Sequence, residues 1–335
     1  MTKRIAFIGT GGTLSNAGTS PTDYLSYLDV GKVLDARSVL DMHPHAQDNA
    51  HIDVIDFGSL RSKWIGVGHW IKLSRLVTQL LKDDEYDAVV LSHGTGTLEE
   101  TAFFLHMTVD SDKPVVIVGA QRPPVTLGSD ARTNFLDAIT VAASPASIGQ
   151  GVMVVMDRTI HSARDVTKAG NHVLNAMQSF VRGPLGVVRA DGTIEFYRSS
   201  GKRHTCNSEF KSVTDLNSEN LPRVDIVSAY TEADGVAIDA FVGSGAEGIV
   251  IIGFAPGTAT AKLDASMDQA TAKGIEIVLA TRASMDPYVV QRNSLSERKL
   301  IANTDITPQN ARTLLQLCLT LKYTHERILK VFNEY

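Results

Sequence analysis

The chain has 335 residues, 43% of them hydrophobic and 21% charged, enough for two globular domains with proper cores. A formal net charge of −5 and a pI near 6.1, without a basic run or a Lys/Arg stripe, leave a polyanion such as nucleic acid nothing to grip and favour small-molecule chemistry. No apolar segment approaches membrane-spanning length, the basic N-terminus lacks a secretory apolar region, and Cys206 and Cys318 lie far apart outside any CxxC pattern. The expectation is a cytoplasmic protein with reduced thiols, no disulfide framework, no cysteine-ligated zinc and no membrane partner.

In chain order, "RIAFIGT", "HIDVIDF", "YDAVVLSH", "KPVVIVGA" and "GVMVVMD" read as strands, apolar on both faces and so covered by helices. The pieces between them, near 69–82, 98–109 and 129–143, carry helical spacing, which makes consecutive βα units and a mainly parallel sheet. "GPLGVVRADGTIEFYRSS" reads as a hairpin around Asp191-Gly192 that closes a first α/β domain over 1–200. The polar stretch 201–222 reads as a linker. A smaller α/β domain over 223–335 follows, with "RVDIVSAY", "EGIVIIGF" and "IEIVLATRA" as strands and two helices at the end. Leu314, Leu315, Leu317 and Leu319 form a stripe that packs either on its own domain or on a partner subunit.

Parallel sheets bind ligands at the carboxyl ends of their strands, and two glycine-rich loops sit there. In "FIGTGGTLSN" adjacent glycines let backbone N–H groups approach an anion, and Thr13 supplies a hydroxyl. The dinucleotide fingerprint fails, since its third glycine falls at Leu14, and the Walker ending is missing. "LSHGTGTLEE" brings a second hydroxyl, Thr95. A threonine hydroxyl is a poor nucleophile until a base takes its proton, and Lys168 in "ARDVTKAGN" or His93 is a candidate. Each has a blander reading, as a solvated lysine and as a hydrogen-bonded core histidine.

"TGGTL", "HGTGTLEE", "GAQRP", "RDVTK", "RGPLG" and "LLQLCLT" occur in this order, and with them the chain resembles the bacterial-type L-asparaginase/glutaminase family over nearly its full length. The resemblance implies a large N-terminal and a small C-terminal α/β domain, no metal or organic cofactor, and amide hydrolysis with water through an acyl-threonine. It also implies a homo-oligomer, a dimer or a tetramer built of close dimers. By the same resemblance Thr13 is the nucleophile and a loop tyrosine assists it, Tyr27 fitting better than Tyr24. Thr95 and Lys168 match the second threonine and the lysine, Ser59 matches a serine that holds the substrate's carboxylate, and Gly12, Gly94 and Gly96 lie where substrate and oxyanion contacts are made.

The departures are specific. The family motif reads His-Gly-Thr-Asp-Thr, and Gly96 stands here in place of the aspartate that holds the substrate's α-ammonium. Leu60 replaces a glutamine, Pro256 replaces an asparagine, and "RASMDPYVVQRN" has no clear match to the segment that supplies a partner glutamate. Losing a charge-assisted contact costs roughly 1.5–3 kcal/mol. The expected substrate is therefore a linear amide, an imide or a lactam without the α-amino group. The alternatives are an L-asparaginase carrying an Asp-to-Gly substitution, or a silent binding homologue. Glu99 and Glu100 read as first-turn helix residues, or as acids that move into the place left at Gly96.

Overall fold

In a computed structural model the chain is described over residues 2–48, 50–82, 85–215, 220–303 and 305–335. It divides into two units, Met1–Thr214 and Asp215–Tyr335. The division falls inside the stretch read as a linker. Thr205–Asn207 and Glu209–Asp215 form 3-10 turns that bury Phe210 and Val213, so apolar residues at period three hold the early part of that stretch in place. Residues 216–219 of it lie outside the described residues.

In the first unit β1 (Lys3–Gly11) lies between β2 (Ala50–Leu60) and β3 (Ala88–Ser92), and β4 (Val115–Val118) and β5 (Val152–Met156) continue the sheet, all parallel. The crossovers are α2 (Ala36–Asp41), α3 (Val67–Lys82), α4 (Leu98–Thr108) and α5 (Ala131–Ala143), while α1 (Tyr27–Val30) is one turn in the loop after β1. Strand alternation sends Ile5, Phe7, Val90 and Val116 into one core with Phe135 of α5, and the intervening Ala6, Ile8, Val89 and Leu91 are fully buried on the other face. Both faces are therefore covered. Each buried Ile, Val or Phe contributes roughly 1.5–3 kcal/mol.

Three short strands extend the sheet antiparallel: β6 (Thr159–Ser162), β9 (Gly186–Val188) and β10 (Ile194–Phe196), in the order β10-β9-β6-β5-β4-β3-β1-β2. The last pair is the hairpin expected around Asp191-Gly192. The β5–β6 hairpin was not expected: Asp157 and Arg158 both take positive φ, as a two-residue turn of the right twist requires, yet neither is the glycine or asparagine that usually marks one. Between these strands β7 (Thr167–Lys168) pairs with β8 (Met177–Gln178) as a separate small ribbon.

The second unit is a parallel sheet in sequential order, β11 (Val224–Ser228), β12 (Gly248–Gly253), β13 (Glu276–Thr281) and β14 (Leu300–Ala302). Its helices are α6 (Val236–Gly243), α7 (Ala261–Ala272), α8 (Asn293–Glu297), α9 (Pro308–Thr320) and α10 (His325–Glu334). Leu314, Leu315 and Leu317 of α9 are fully buried, and Leu315 and Leu319 pack over Gly248 of β12, where a Cβ would lie 2.7 Å from Leu315. The leucine stripe thus belongs to its own unit.

Candidate active site

Because β1 and β3 are parallel neighbours in the register Gly9↔Ser92, their following loops emerge side by side. Thr10 Oγ1 donates to Ser92 O at 2.5 Å and fixes the two strand ends together. Gly12 then takes φ 90°, and a Cβ there would lie 2.5 Å from the Gly94 nitrogen. Only a residue without a side chain permits that approach. The two loops read separately in the sequence are one surface.

Thr13 begins the 3-10 turn Thr13–Ser15, and its Oγ1 lies 3.2 Å from the hydroxyl of Tyr27. Tyr27 is buried, and burial raises its phenol above the ordinary tyrosine value while the Thr13 hydrogen bond opposes the shift. Tyr24 is not the partner. Its hydroxyl turns to Leu127 O at 3.4 Å, its ring lies under the Arg122 guanidinium, and it is 43% exposed. Asn16, which the motif reading passed over, holds the loop closed: its amide donates to Tyr27 O at 3.2 Å, accepts from Gly18 N at 2.9 Å, and its backbone bridges to Val33. An asparagine four positions after a strand-end glycine pair is the signal that could have found it.

Thr95 is buried, and Lys168 Nζ donates to its Oγ1 at 2.7 Å. Lys168 arrives on β7. Arg164 and Asp165 just before it are buried, and Asp165 bridges Arg164 at 3.2 Å and the half-buried Arg198 at 2.7 Å. These charges fix where the ribbon starts, which explains why Arg and Asp precede the lysine in "RDVTK". Burial pulls the Lys168 ammonium below the ordinary lysine value, and Glu99 opposes the shift. Glu99 sits in the first turn of α4 and accepts the Lys168 backbone N–H at 2.6 Å. A first-turn acid favoured by the helix dipole thus also positions the lysine backbone.

His93 is fully buried and neutral. Its Nδ1 donates to Gly94 O at 2.9 Å, and its Nε2 accepts from Thr101 Oγ1 at 2.9 Å, which itself accepts from Trp70 Nε1. Burial lowers its pKa to about 4. With both nitrogens engaged it is a structural histidine.

Gly96 is absent from the positive-φ glycines, so its backbone accommodates any residue. A Cβ there would meet one atom within 4 Å among the described residues, Ser62 Oγ at 3.0 Å. Neither Glu99 nor Glu100 fills the position. Ser62 belongs to the 3-10 turn Ser62–Trp64, which α4's N-terminus ties down through Thr97 Oγ1 donating to Ser62 O at 2.9 Å. Ser59 lines the cleft, but its hydroxyl donates to Leu34 O at 3.0 Å. Pro256 and the segment 282–293 belong to the second unit.

Thr13, Tyr27, Thr95, Lys168, Ser59 and Gly96 line one cleft of about 530 Å³. Arg61, Ser62 and Lys63 line it too, outside the motifs, as does Gln121 of "GAQRP", for which the motif gave no role. Among the described residues no group of three or more His, Cys, Asp or Glu residues is placed to hold a metal ion.

Residues 4–202 match the family model "Asparaginase, N-terminal", and residues 223–332 match "Glutaminase/Asparaginase C-terminal domain". The chain is 35% identical over 331 residues to L-asparaginase 2 of Bacillus subtilis, covering 99% of this chain and 86% of that one. It is 30% identical over 333 residues to the glutaminase-asparaginase of Pseudomonas fluorescens biotype A, covering 99% and 90%. The crystal structure of a probable cytoplasmic L-asparaginase from Campylobacter jejuni superposes with a TM-score of 0.92 at 32% identity, over 99% of this chain and all of that one.

Proposed function

The chain belongs to the asparaginase/glutaminase family of amidohydrolases, and from that premise we propose an enzyme that hydrolyses a small amide, imide or lactam lacking the α-amino group. The observation that carries the reading is Gly96, where within 4 Å a Cβ would meet a serine hydroxyl and no carboxylate among the described residues. An ammonium placed there would lose its water without gaining a counter-charge.

In this reading Thr13 Oγ1 attacks the carbonyl carbon while Tyr27, a neutral phenol, takes the hydroxyl proton through the contact at 3.2 Å and passes its own proton on to the departing nitrogen. The C–N bond breaks, nitrogen leaves with a proton, and the acyl group stays on Thr13. Backbone N–H groups of the loops at Gly12, Gly94 and Gly96 hold the negative oxygen, a contribution that strengthens as charge develops. Neutral Lys168, acting through Thr95 Oγ1, takes the proton of the water that releases the acid. Loss of the aspartate helps here, because an opposite charge beside Lys168 would favour the ammonium.

No cofactor takes part in this scheme. A homo-oligomer is proposed as well: Met285, Tyr288 and Val290 are more than half exposed in the second unit, apolar surface that a partner subunit would cover. That neither Cys206 nor Cys318 is in a disulfide accords with a cytoplasmic site.

The test is a screen of the unaltered protein against asparagine, succinamic acid, succinimide and simple lactams, with ammonia release and ring opening read separately. Turnover of desamino substrates ahead of asparagine supports the proposal. A second reading, hydrolysis of asparagine itself, is favoured by the names of the relatives and by Asp29, a carboxylate on the cleft wall. In that case asparagine leads the screen and Asp29→Asn abolishes its advantage.

A further inference from the structure

The turn that faces Gly96 is cationic. Arg61 and Lys63 flank Ser62, both are exposed, and both line the cleft. Their charged ends both approach one exposed ring, Arg61 Cζ 5.4 Å and Lys63 Nζ 6.0 Å from the centre of Trp64. Among the described residues neither makes an ion pair. Stacking on Trp64 holds both heads at the mouth without neutralising them.

The serine assigned to a substrate carboxylate has already given its one proton away, since Ser59 Oγ donates to Leu34 O. Ser62 Oγ instead lies beside Gly94 and Gly96, 3.0 Å from where a Cβ of either would stand. Gln121 also lines the cleft. Donors and positive charge therefore dominate the lining, against Asp29.

We infer that the cleft selects amides whose acyl part carries a carboxylate, that is, ω-amides of dicarboxylic acids without an amine, with Ser62 as its hydrogen-bond donor and the Arg61–Lys63 pair as its charge partner. This rests on the amidohydrolase reading and narrows its substrate class. Neutral imides and lactams of the same size become poorer substrates, because nothing in them answers the two cations. Screening of the pair by salt follows from its exposure, so the preference weakens between about 0.01 M and about 1 M salt.

The experiment compares kcat/KM for succinamate and for butyramide, its uncharged counterpart, in the unaltered protein and in the double variant Arg61→Ala, Lys63→Ala, with succinate binding measured by calorimetry on both proteins. The succinamate-to-butyramide ratio is expected to fall about tenfold or more, equivalent to about 1.4 kcal/mol, and succinate to bind correspondingly more weakly. An unchanged ratio together with unchanged succinate affinity overturns the inference while leaving amide hydrolysis intact. If the unaltered protein turns over no amide, the amidohydrolase reading fails separately, and succinate affinity alone decides the cationic subsite: a tenfold loss supports it, no loss refutes it.

Discussion

Lys168 Nζ donates to Thr95 Oγ1 at 2.7 Å, although one residue ends a two-residue ribbon and the other follows β3, seventy-three positions earlier. If the neutral amine is the working base, Lys168→Met and Lys168→Arg should both lower kcat by about 10²–10⁴, because a guanidinium does not deprotonate near neutrality. Single-turnover and steady-state assays separate that from a change in KM. Retention of more than about a tenth of kcat by the arginine variant would remove the lysine from the mechanism.

The pH profile follows from the same pair. Burial favours the neutral amine, so activity should rise with pH and level off at a midpoint below the ordinary lysine value of about 10.4. Glu99 opposes that shift, and Glu99→Gln should move the rising limb to lower pH while its oxygen still accepts the Lys168 N–H. Movement to higher pH contradicts the assignment.

The loop tyrosine gives a paired test. Tyr27→Phe removes the only hydroxyl recorded against Thr13 Oγ1 among the described residues and should reduce kcat by about 10²-fold or more, with little change in stability. Tyr24→Phe, whose hydroxyl reaches Leu127 O on the surface, should leave kcat near that of the unaltered enzyme. The reverse order would mean that the loop works in another arrangement.

Much of this was legible in the sequence, for identifiable reasons. The parallel strands were readable because burial on both faces writes a continuous apolar run, as in "AVVLS", and the helices between them because α3 keeps Trp70, Ile71, Leu73 and Val77 on one side. Residues tied to motifs, Thr13, Thr95, Lys168 and Gly96, were found by their order along the chain. Ser62, Arg61 and Lys63 were not, since a short 3-10 turn leaves no periodic pattern and its importance comes only from facing Gly96. Asp157-Arg158 concealed a hairpin because its positive φ values are held by pairing on both sides. Leu34 O decides what Ser59 can do, and no local pattern reports a hydrogen bond between residues twenty-five positions apart.

Two buried groups set opposite trends in stability with pH. His93 has its pKa lowered to about 4, so its contribution is present above the unfolded value near 6.5 and is lost as pH falls through about 4. Asp137 is raised to about 6 by burial, its Oδ2 without a hydrogen bond and Arg158 Nε 3.8 Å away, so its favourable contribution is present below about 4 and is lost as pH rises through about 6. Asp137→Asn should stabilise the protein at pH 8 relative to its effect at pH 5 by about 1.4 kcal/mol, one pKa unit's worth, because the unfolded carboxylate is already ionised at pH 5 and only the stretch from pH 5 to about 6 contributes. Urea titrations at the two pH values measure it, and equal effects at both would show that Asp137 ionises normally.

The central claim concerns what is missing beside Ser62, and Gly96→Asp tests it most directly. The backbone at 96 accepts the residue, and Ser62 Oγ, 3.0 Å from the new Cβ, has to give by a few tenths of an ångström, for which the Gly96→Asp, Ser62→Ala pair is the companion. The measurement is the ratio of kcat/KM for asparagine to that for succinamate, before and after substitution. The account predicts that succinamate leads in the unaltered protein and that the aspartate shifts the ratio toward asparagine by about tenfold to a hundredfold, the worth of one charge-assisted contact. Preference for asparagine in the unaltered protein, or a ratio that neither variant moves, would contradict it.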